Sequence, residues 1–464
     1  MDGLEISEIQ LSDLERTARI DAEFYKKENL AIAALIKKAE FCPVTDYFTI
    51  SDGNHMSISE EFQTEGVPYY RGQDIYNTFI EEASPVCIDE DTFSHPHMIR
   101  SHLRAGDVLM SIVGAIVGNS AIVSSDAAAT CSCKLAIIRP KNNGVLPEYL
   151  LIYIKTKYGQ NQIQKFKRGA AQTGFLLEDF DQICLPQISP HLQYEIRRVV
   201  NRSREAIVCA NQKCKQAENI VLSAVGYHDI EDGPLTASVR SLKSSFLSSG
   251  RLDAEFYQAK YDEYLKLIQR YKGGYSYVGT EFDQVLKMCD RTHSDYPYVE
   301  IGDVNVHSGI ATYNVISTEL LPANAKIMTK RGDILVSTVR PNRGAVAILD
   351  SDSLLVSGAF TVIRQKGHYK KETLQTLLRT KLYRDWLLRY NVGTSYPVIK
   401  DEDVLGMPIP LFELKIHDDI EAKMQESFSL RRKSKELLEY AKQAVEMVIE
   451  HGEEAALEWL HDKV

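Results

Sequence analysis

This chain has no long hydrophobic run. Its most apolar window, Val108 to Val117, is ten residues long, whereas a helix that crosses a bilayer needs about 20. The window reads as a buried strand and turn, and no membrane partner is expected. The opening Met1-Asp2-Gly3-Leu4-Glu5 lacks the basic-then-apolar order of a secretory signal. Cysteine is sparse and scattered. Of eight, only Cys131 with Cys133 and Cys209 with Cys214 lie close in sequence, and neither pair has the spacing of a zinc site. Reduced thiols in a cytoplasmic protein are the expectation. Positive charge is in deficit: 54 Lys and Arg face 64 Asp and Glu, a net charge of −10. Proteins that coat nucleic acid without regard to sequence are usually basic overall, so that class is disfavoured, while local basic surfaces stay compatible with the composition.

The motifs of common enzymes are missing too. There is no G-x-x-x-x-G-K-[ST] loop to cradle a triphosphate and no G-x-G-x-x-G after a strand for a dinucleotide or adenosyl cofactor. No Asn/Asp-Pro-Pro-aromatic tetrapeptide, H-E-x-x-H or G-x-S-x-G occurs. Glu413-Leu414-Lys415 and Glu421-Ala422-Lys423 have the E-x-K form of many nucleases. Chance supplies such tripeptides in a charged chain, and the second falls inside a helical seam. His95-Pro96-His97 with His102 could bind a metal but reads better as an exposed loop. Neither a cofactor nor a metal is expected.

What the chain does have is an internal repeat, which decides architecture before any local feature. Arg19-Ile20-Asp21-Ala22-Glu23-Phe24-Tyr25 returns as Arg251-Leu252-Asp253-Ala254-Glu255-Phe256-Tyr257. Four further pairs follow in order. Pro68 to Ile75 matches Pro297 to Val304, Gly106-Asp107-Val108-Leu109-Met110-Ser111 matches Gly332-Asp333-Ile334-Leu335-Val336-Ser337, Ile138-Arg139 matches Ile363-Arg364, and Leu185-Pro186 matches Met407-Pro408. The offset shrinks smoothly along the chain, as small loop deletions would make it.

Within each copy the texture changes in the same sequence. Asp21 to Lys38 has helical periodicity. After Pro43, short β-branched and aromatic runs (Tyr47–Ile50, Val67–Tyr70, Val108–Val113, Ser120–Val123, Leu135–Ile138) alternate with Gly, Asp, Asn and Pro turns, which predicts a compact β-rich domain instead of alternating βαβ units. Gly114 to Asn119 reads as a tight turn between strands. Pro147 opens a helix running towards Phe166. A Gly169–Gly174 loop and a short apolar run lead to Pro186. A long helix is predicted from His191 to about Ala224, with Leu192, Ile196, Val199, Ser203, Ala206, Ala210, Lys213, Ala217, Ile220 and Ala224 forming a heptad seam. Shifted by 224, the seam recurs from Ile416 through Ile420, Lys423, Ser427, Leu430, Ser434, Leu437, Ala441 and Ala444 to Val448. The matched lengths favour pairing of the two helices with each other. The expected division is a first recognition domain at 1–190, a central helix at 191–225, a linker at 226–250, a second domain at 251–412, and a distal helix with an acidic tail at 413–464. The fold class is α+β: two β-rich domains, internally repeated, separated and followed by long helices paired as an antiparallel coiled coil.

This arrangement resembles the specificity subunits of type I restriction–modification systems. The resemblance rests on the Gly106–Ser111 and Gly332–Ser337 strands, and on the Gly169–Gly174 and Gly393–Tyr396 loops that lead to Leu185-Pro186 and to Met407-Pro408-Ile409-Pro410-Leu411. A heptad helix directly after each exit completes it. It covers nearly the whole chain, although the first loop is not closely copied by the second and the stretch after Glu450 has no counterpart. The resemblance implies a non-catalytic subunit in which each β-rich domain reads one half of a split target in double-stranded DNA. It also implies that the helix pair spaces the domains and docks two methyltransferase subunits, with a restriction/translocase subunit joining them. The alternatives are a repeat-built scaffold that binds proteins only, or a self-contained DNA-modifying enzyme with a diverged active site.

Shared frames with different tips are what two half-sites require, and Arg71 indeed aligns with Glu300 and Gly114 with Arg340. Phosphate contacts call for Lys or Arg, and base reading for Arg, Lys, Asn or Gln on a positioned loop or strand end. In the first copy the candidates are Arg71, Gln73, Lys165, Lys167, Arg168 and Gln172. In the second they are Lys330, Arg331, Arg340, Asn342, Arg343 and Tyr396. Arg340-Pro341-Asn342-Arg343, a turn between apolar strands, is the sharpest of these. A solvated hairpin tip would carry similar residues, and the Lys165–Arg168 run would equally suit a helix C-terminus.

Overall fold

A computed structural model describes residues 5–11, 14, 19–36, 38, 40–142, 144–169, 173–227, 239–393 and 395–464. The chain divides into two compact units, Met1–Val208 with Leu430–Val464, and Cys209–Ser429. The same architecture is built in each.

In the first unit a four-stranded antiparallel sheet runs Phe48–Asp52, Leu135–Pro140, Val108–Ser111, Ser120–Ile122. The second unit repeats that order with Phe282–Gln284, Phe360–Gln365, Ile334–Ser337 and Val346–Ile348. The third strand of each sheet, Val108–Ser111 and Ile334–Ser337, hereafter the central strand, is buried along its whole length, which explains its continuous apolar run where a half-exposed strand would alternate. A smaller sheet lies beside each. Val67–Tyr70 pairs antiparallel with Val86–Ile88 and parallel with Thr130–Cys131. Asp295–Val299 likewise pairs antiparallel with Asn314–Ser317 and parallel with Leu355–Ser357, onto which Ala325–Met328 adds. Each domain is closed by a strand pair that joins its beginning to its exit: Phe41–Pro43 with Cys184–Pro186, and Tyr275–Tyr277 with Pro408–Pro410.

The repeated residues hold equivalent joints. Asp107 sits at the start of the central strand, almost wholly buried, and accepts both Nε and Nη2 of Arg139 at 2.8 and 2.6 Å. Asp333 and Arg364 form the same bidentate pair at 2.7 and 2.8 Å. The opening motif is an anchor. Arg19 pairs with Asp21, lies 4.8 Å over the Phe24 ring and donates to the carbonyls of Lys165 and Phe166. Arg251 does the same with Asp253, Phe256 and the Asn391 carbonyl. The expected helix from Asp21 starts only at Lys27, because Asp21 Oδ1 accepts the Phe24 N–H and holds the preceding residues in a turn.

The helix expected from Pro147 towards Phe166 is two helices, Pro147–Lys155 and Lys157–Phe166. Its counterpart in the second copy is likewise two helices, Lys371–Arg379 and Lys381–Leu388. Thr156 and Thr380 make the breaks. Each adopts an extended backbone, and its hydroxyl accepts an N–H of the next helix, from Gly159 and Tyr383 respectively.

The long helices are Pro190–Val225 and Leu414–His451. Pro190 occupies a first helical position, where its missing N–H costs nothing, and Gly226, at φ 70°, ends the first helix in the left-handed region. The two helices pack along each other within both units. Ser203 Oγ donates to the Ser434 carbonyl at 3.0 Å in the first unit, and Ser427 Oγ donates to the Ala210 carbonyl at 3.0 Å in the second. Position numbers thus rise along one helix as they fall along the other, and one hydrogen bond recurs with the helices' roles exchanged. The polar breaks in the seam are therefore buried and satisfied. Lys213 leaves the seam to pair with Glu426 at 2.7 Å. The buried line also departs from the expected heptad. Val221, Val225, Met424, Arg431 and Val445 lie deeper than Ile220, Ala224, Lys423, Leu430 and Val448. A straight helix drifts about 20° per heptad, and each helix must also face the core of a β-rich domain.

The last stretch, acidic by composition, is helix Glu453–Lys463. It packs Ala456 and Leu460 into the first unit's core, and the Glu453 carboxylate accepts from Ser189 at the start of the central helix, where negative charge is favourable. Among the described residues no helix is long and apolar enough to cross a membrane.

Candidate nucleic-acid interface

In each unit the central strand ends in a turn that reaches a second loop. In the first, Gly114 and Gly118 hold φ of 86° and 94° at the two ends of the turn. The Gly114 N–H donates to the Thr173 carbonyl at 2.7 Å, and Val113 bridges Gly174. The second loop is closed on itself by reciprocal backbone bonds between Arg168 and Gly174. Gln160 and Gln164, on the helix Lys157–Phe166, donate to the carbonyls of Gly118 and Val117, both at 3.0 Å. Segment Gly72–Asp74 approaches from another side: a Cβ at Gly72 would lie 3.4 Å from Ile116 Cδ1. Three segments therefore converge on one surface.

The second unit builds the same junction with different side chains. Arg340 and Gly344 occupy the places of Gly114 and Gly118, with φ of 51° and 74°. The Arg340 N–H donates to the Pro397 carbonyl at 2.7 Å, and Val339 bridges Val398. The Arg340 guanidinium lies 5.4 Å over the Tyr396 ring.

The candidate residues fall into distinct environments. Arg71 pairs with Asp74 at 3.0 Å, and Gln73 beside it is exposed. Lys165 is buried, its ammonium 4.1 Å from the Phe24 ring, so it faces the core side of its helix. Lys167 is half-buried, and Arg168 pairs with the buried Asp179, whose carboxyl is pushed up by burial against the pull of Arg168. Gln172 lies outside the described residues. Arg340, Asn342, Arg343 and Tyr396 are exposed and come together at one tip. Lys330 and Arg331 are exposed too, but they precede the strand Ile334–Ser337 while Arg340 follows it. Four strand residues separate the two groups by roughly 13 Å, so one tip does not hold both. Arg331 is tied to the Asp350 carbonyl at 2.6 Å.

Sequence reasoning missed Arg384. Its Cδ would stand 2.8 Å from a Cβ at Gly344, so it lies directly behind the turn, and its Nε is buried without a partner. A signal existed: at the repeat offset of 224 it aligns with Gln160, which holds the first turn. Among the described residues the guanidinium groups of Arg340, Arg343 and Arg384 form no ion pair. The second tip is thus locally cationic within a net acidic chain, while the first, Gly114-Ala115-Ile116-Val117-Gly118, is apolar.

Other features carry less. His102 stacks on Phe93 at 3.8 Å and does not join His95 and His97, and among the described residues no cluster could hold a metal. A cavity of about 600 Å³ lies in the first unit at the opposite end of the central strand, beside Gly106, where Arg197 pairs with Glu148.

No family model matches the chain, and no curated protein does. Among solved structures it is similar to the S subunit of a type I restriction–modification system from M. genitalium, at 11% identity over 91% of this chain and 96% of that one, with a TM-score of 0.37. It is similar to the HsdS subunit from Thermoanaerobacter tengcongensis at 14% identity over 89% and 97%, TM-score 0.30. Over 40% of its length it is also similar to 29% of the type IIG restriction endonuclease BpuSI, at 10% identity and a TM-score of 0.31.

Proposed function

We propose that this chain is the DNA-recognition subunit of a type I restriction–modification complex. Each β-rich domain reads one half of a bipartite sequence in double-stranded DNA, at the tip formed by the central-strand turn and its neighbouring loop. The long helices set the spacing and dock two methyltransferase subunits, to which a restriction/translocase subunit adds. The chain itself is non-catalytic and works in the cytoplasm. In this reading residues 1–190 and 251–412 are the two readers.

The observation that carries this reading is duplication of the frame with divergence at the tip. Sheet order, the Asp–Arg joint, the Arg–Asp–Phe anchor and the serine bond between the helices are all repeated. The turn is repeated in backbone conformation but changes from apolar to cationic side chains. A scaffold that binds one kind of protein has no need of that contrast. Two readers of different base sequences do. The helices, at 36 and 38 residues and about 1.5 Å per residue, exceed the ~34 Å of one duplex turn, so they suit a spacer between half-sites.

The test is co-expression with the methyltransferase of the same host, followed by single-molecule mapping of methylated adenine. One bipartite motif is expected, and exchanging residues 251–412 for those of another such chain should change one half only. Absence of a split motif together with failure to co-purify with the methyltransferase would refute the reading and favour a protein-binding scaffold.

A further inference from the structure

We propose that Arg340, held against the face of Tyr396, reads a guanine in the half-site recognised by the second domain. This rests on the DNA-reading role above and specifies its chemistry at one position.

The first reason is conformational. Both turns begin on a residue in the left-handed region, Gly114 at φ 86° in the first copy and Arg340 at φ 51°, ψ 52° in the second. Glycine adopts that backbone without steric cost, and an arginine does not. Packing does not offset the strain. The Arg340 side chain is exposed, and among the described residues it forms no ion pair and no side-chain hydrogen bond. Its guanidinium lies over the Tyr396 ring. Strain held where the fold gains nothing in return is a mark of function.

The second reason is availability. Three of the other four candidate arginines are already engaged, Arg71 by Asp74, Arg168 by Asp179 and Arg331 by the Asp350 carbonyl, and the fourth, Arg343, has no aromatic face against it among the described residues. Among the described residues the Arg340 guanidinium forms no ion pair; it is exposed beyond the end of a buried strand, on a turn whose backbone is pinned to Pro397. Stacking on an aromatic face limits the rotamers of the side chain while leaving its N–H edge open.

The third reason is the match of donors to acceptors. Two parallel N–H groups fit the O6 and N7 acceptors that guanine presents in the major groove. Adenine places an N6 donor where O6 would be, and pyrimidines lack the pair. Arg343 and Arg384, which form no ion pair among the described residues, lie at the same turn and supply the charge that phosphates would complement. The first copy has Gly114 at the equivalent position and carries no such donor there, so the requirement belongs to one half of the target.

The experiment uses the full-length chain assembled with its host methyltransferase and a random duplex library, sequencing the methylated sites. Wild type should yield a bipartite motif with a G·C pair required in the half that follows residues 251–412. Arg340→Gly and Arg340→Lys should each reduce preference for that pair by about 10- to 100-fold and leave the other half unchanged. Tyr396→Phe should behave as wild type, and Tyr396→Ala should relax the same pair partially, as expected of a positioning residue. Arg340→Gly suits the turn's backbone, so its melting temperature should not fall, which separates lost reading from lost folding. The inference is overturned if a bipartite wild-type motif persists unchanged in Arg340→Gly, or if activity falls uniformly on all sequences, as a phosphate contact would give. A wild type without any bipartite motif would refute the proposed function itself.

Discussion

Removing the guanidinium from the Asp–Arg joint should loosen each β-rich domain, and the first more than the second. Asp107 has a side chain only 1% exposed, and its carboxylate takes two bonds from Arg139, itself 25% exposed, and one from the Arg104 N–H. In Arg139→Met the carboxylate keeps only the backbone donor. An exposed ion pair contributes under about 1 kcal/mol, but stranding a buried charge costs about 3–5. The partial exposure of Arg139 argues for the lower end, about 3 kcal/mol. Arg139 also donates to the His102 carbonyl at 2.8 Å, which adds to the loss. Arg364 is 41% exposed, so water can reach its place more easily, and Arg364→Met should cost about 2 kcal/mol. Hydrogen exchange with mass spectrometry reads this locally. Strand Val108–Ser111 should lose roughly 150-fold of protection in Arg139→Met, and Ile334–Ser337 roughly 30-fold in Arg364→Met. Loss below about 5-fold in both strands, or a larger effect from Arg364→Met, would refute the burial reasoning.

Ser203→Ala and Ser427→Ala should each cost about 1 kcal/mol in urea unfolding, by deleting a hydrogen bond to the facing helix. Ser203→Leu should cost more, because that seam position is 0% exposed and overpacking adds about 1–3 kcal/mol. Burial pushes Glu82 up to about 7, against the pull of Arg431 and Lys155. A carboxyl that ionises less readily in the fold binds more protons there, so stability falls as pH rises from about 4.5 to about 7 and stays low above it. Glu82→Gln should flatten that dependence and raise the melting temperature at pH 8; an unchanged pH profile would contradict it. Arg340→Gly should raise stability by about 1 kcal/mol in the same unfolding assay by relieving the left-handed backbone.

The repeat, the limits of both long helices and five strands of the first copy were readable in the sequence, because periodicity and turn residues are local properties of a chain; the short strands Phe41–Pro43, Val86–Ile88 and Thr130–Cys131 were not. The seam serines were readable as a recurring break, but their pairing with Ser434 and Ala210 was not. That pairing depends on which residues face each other across two helices more than 200 positions apart. The helix breaks at Thr156 and Thr380 were missed because one hydroxyl bonding an amide N–H outweighs an otherwise continuous apolar pattern. At the candidate interface, residue types and the Arg340–Arg343 turn were legible. Lys165 was drawn into the core by Phe24, and Arg331 was tied to the Asp350 carbonyl, since burial and partners are set by packing.

By itself, then, the sequence determined the duplication, the α+β class and the divergence of the two tips, all consequences of residue order. Only the tertiary structure decided which of the candidate charges are spent within the fold. Arg71, Arg168 and Arg331 are engaged by polar partners, while among the described residues Arg340, Arg343 and Arg384 form no ion pair. The reason is geometric: an ion pair needs two groups within about 4 Å, and that distance is fixed by the folded backbone.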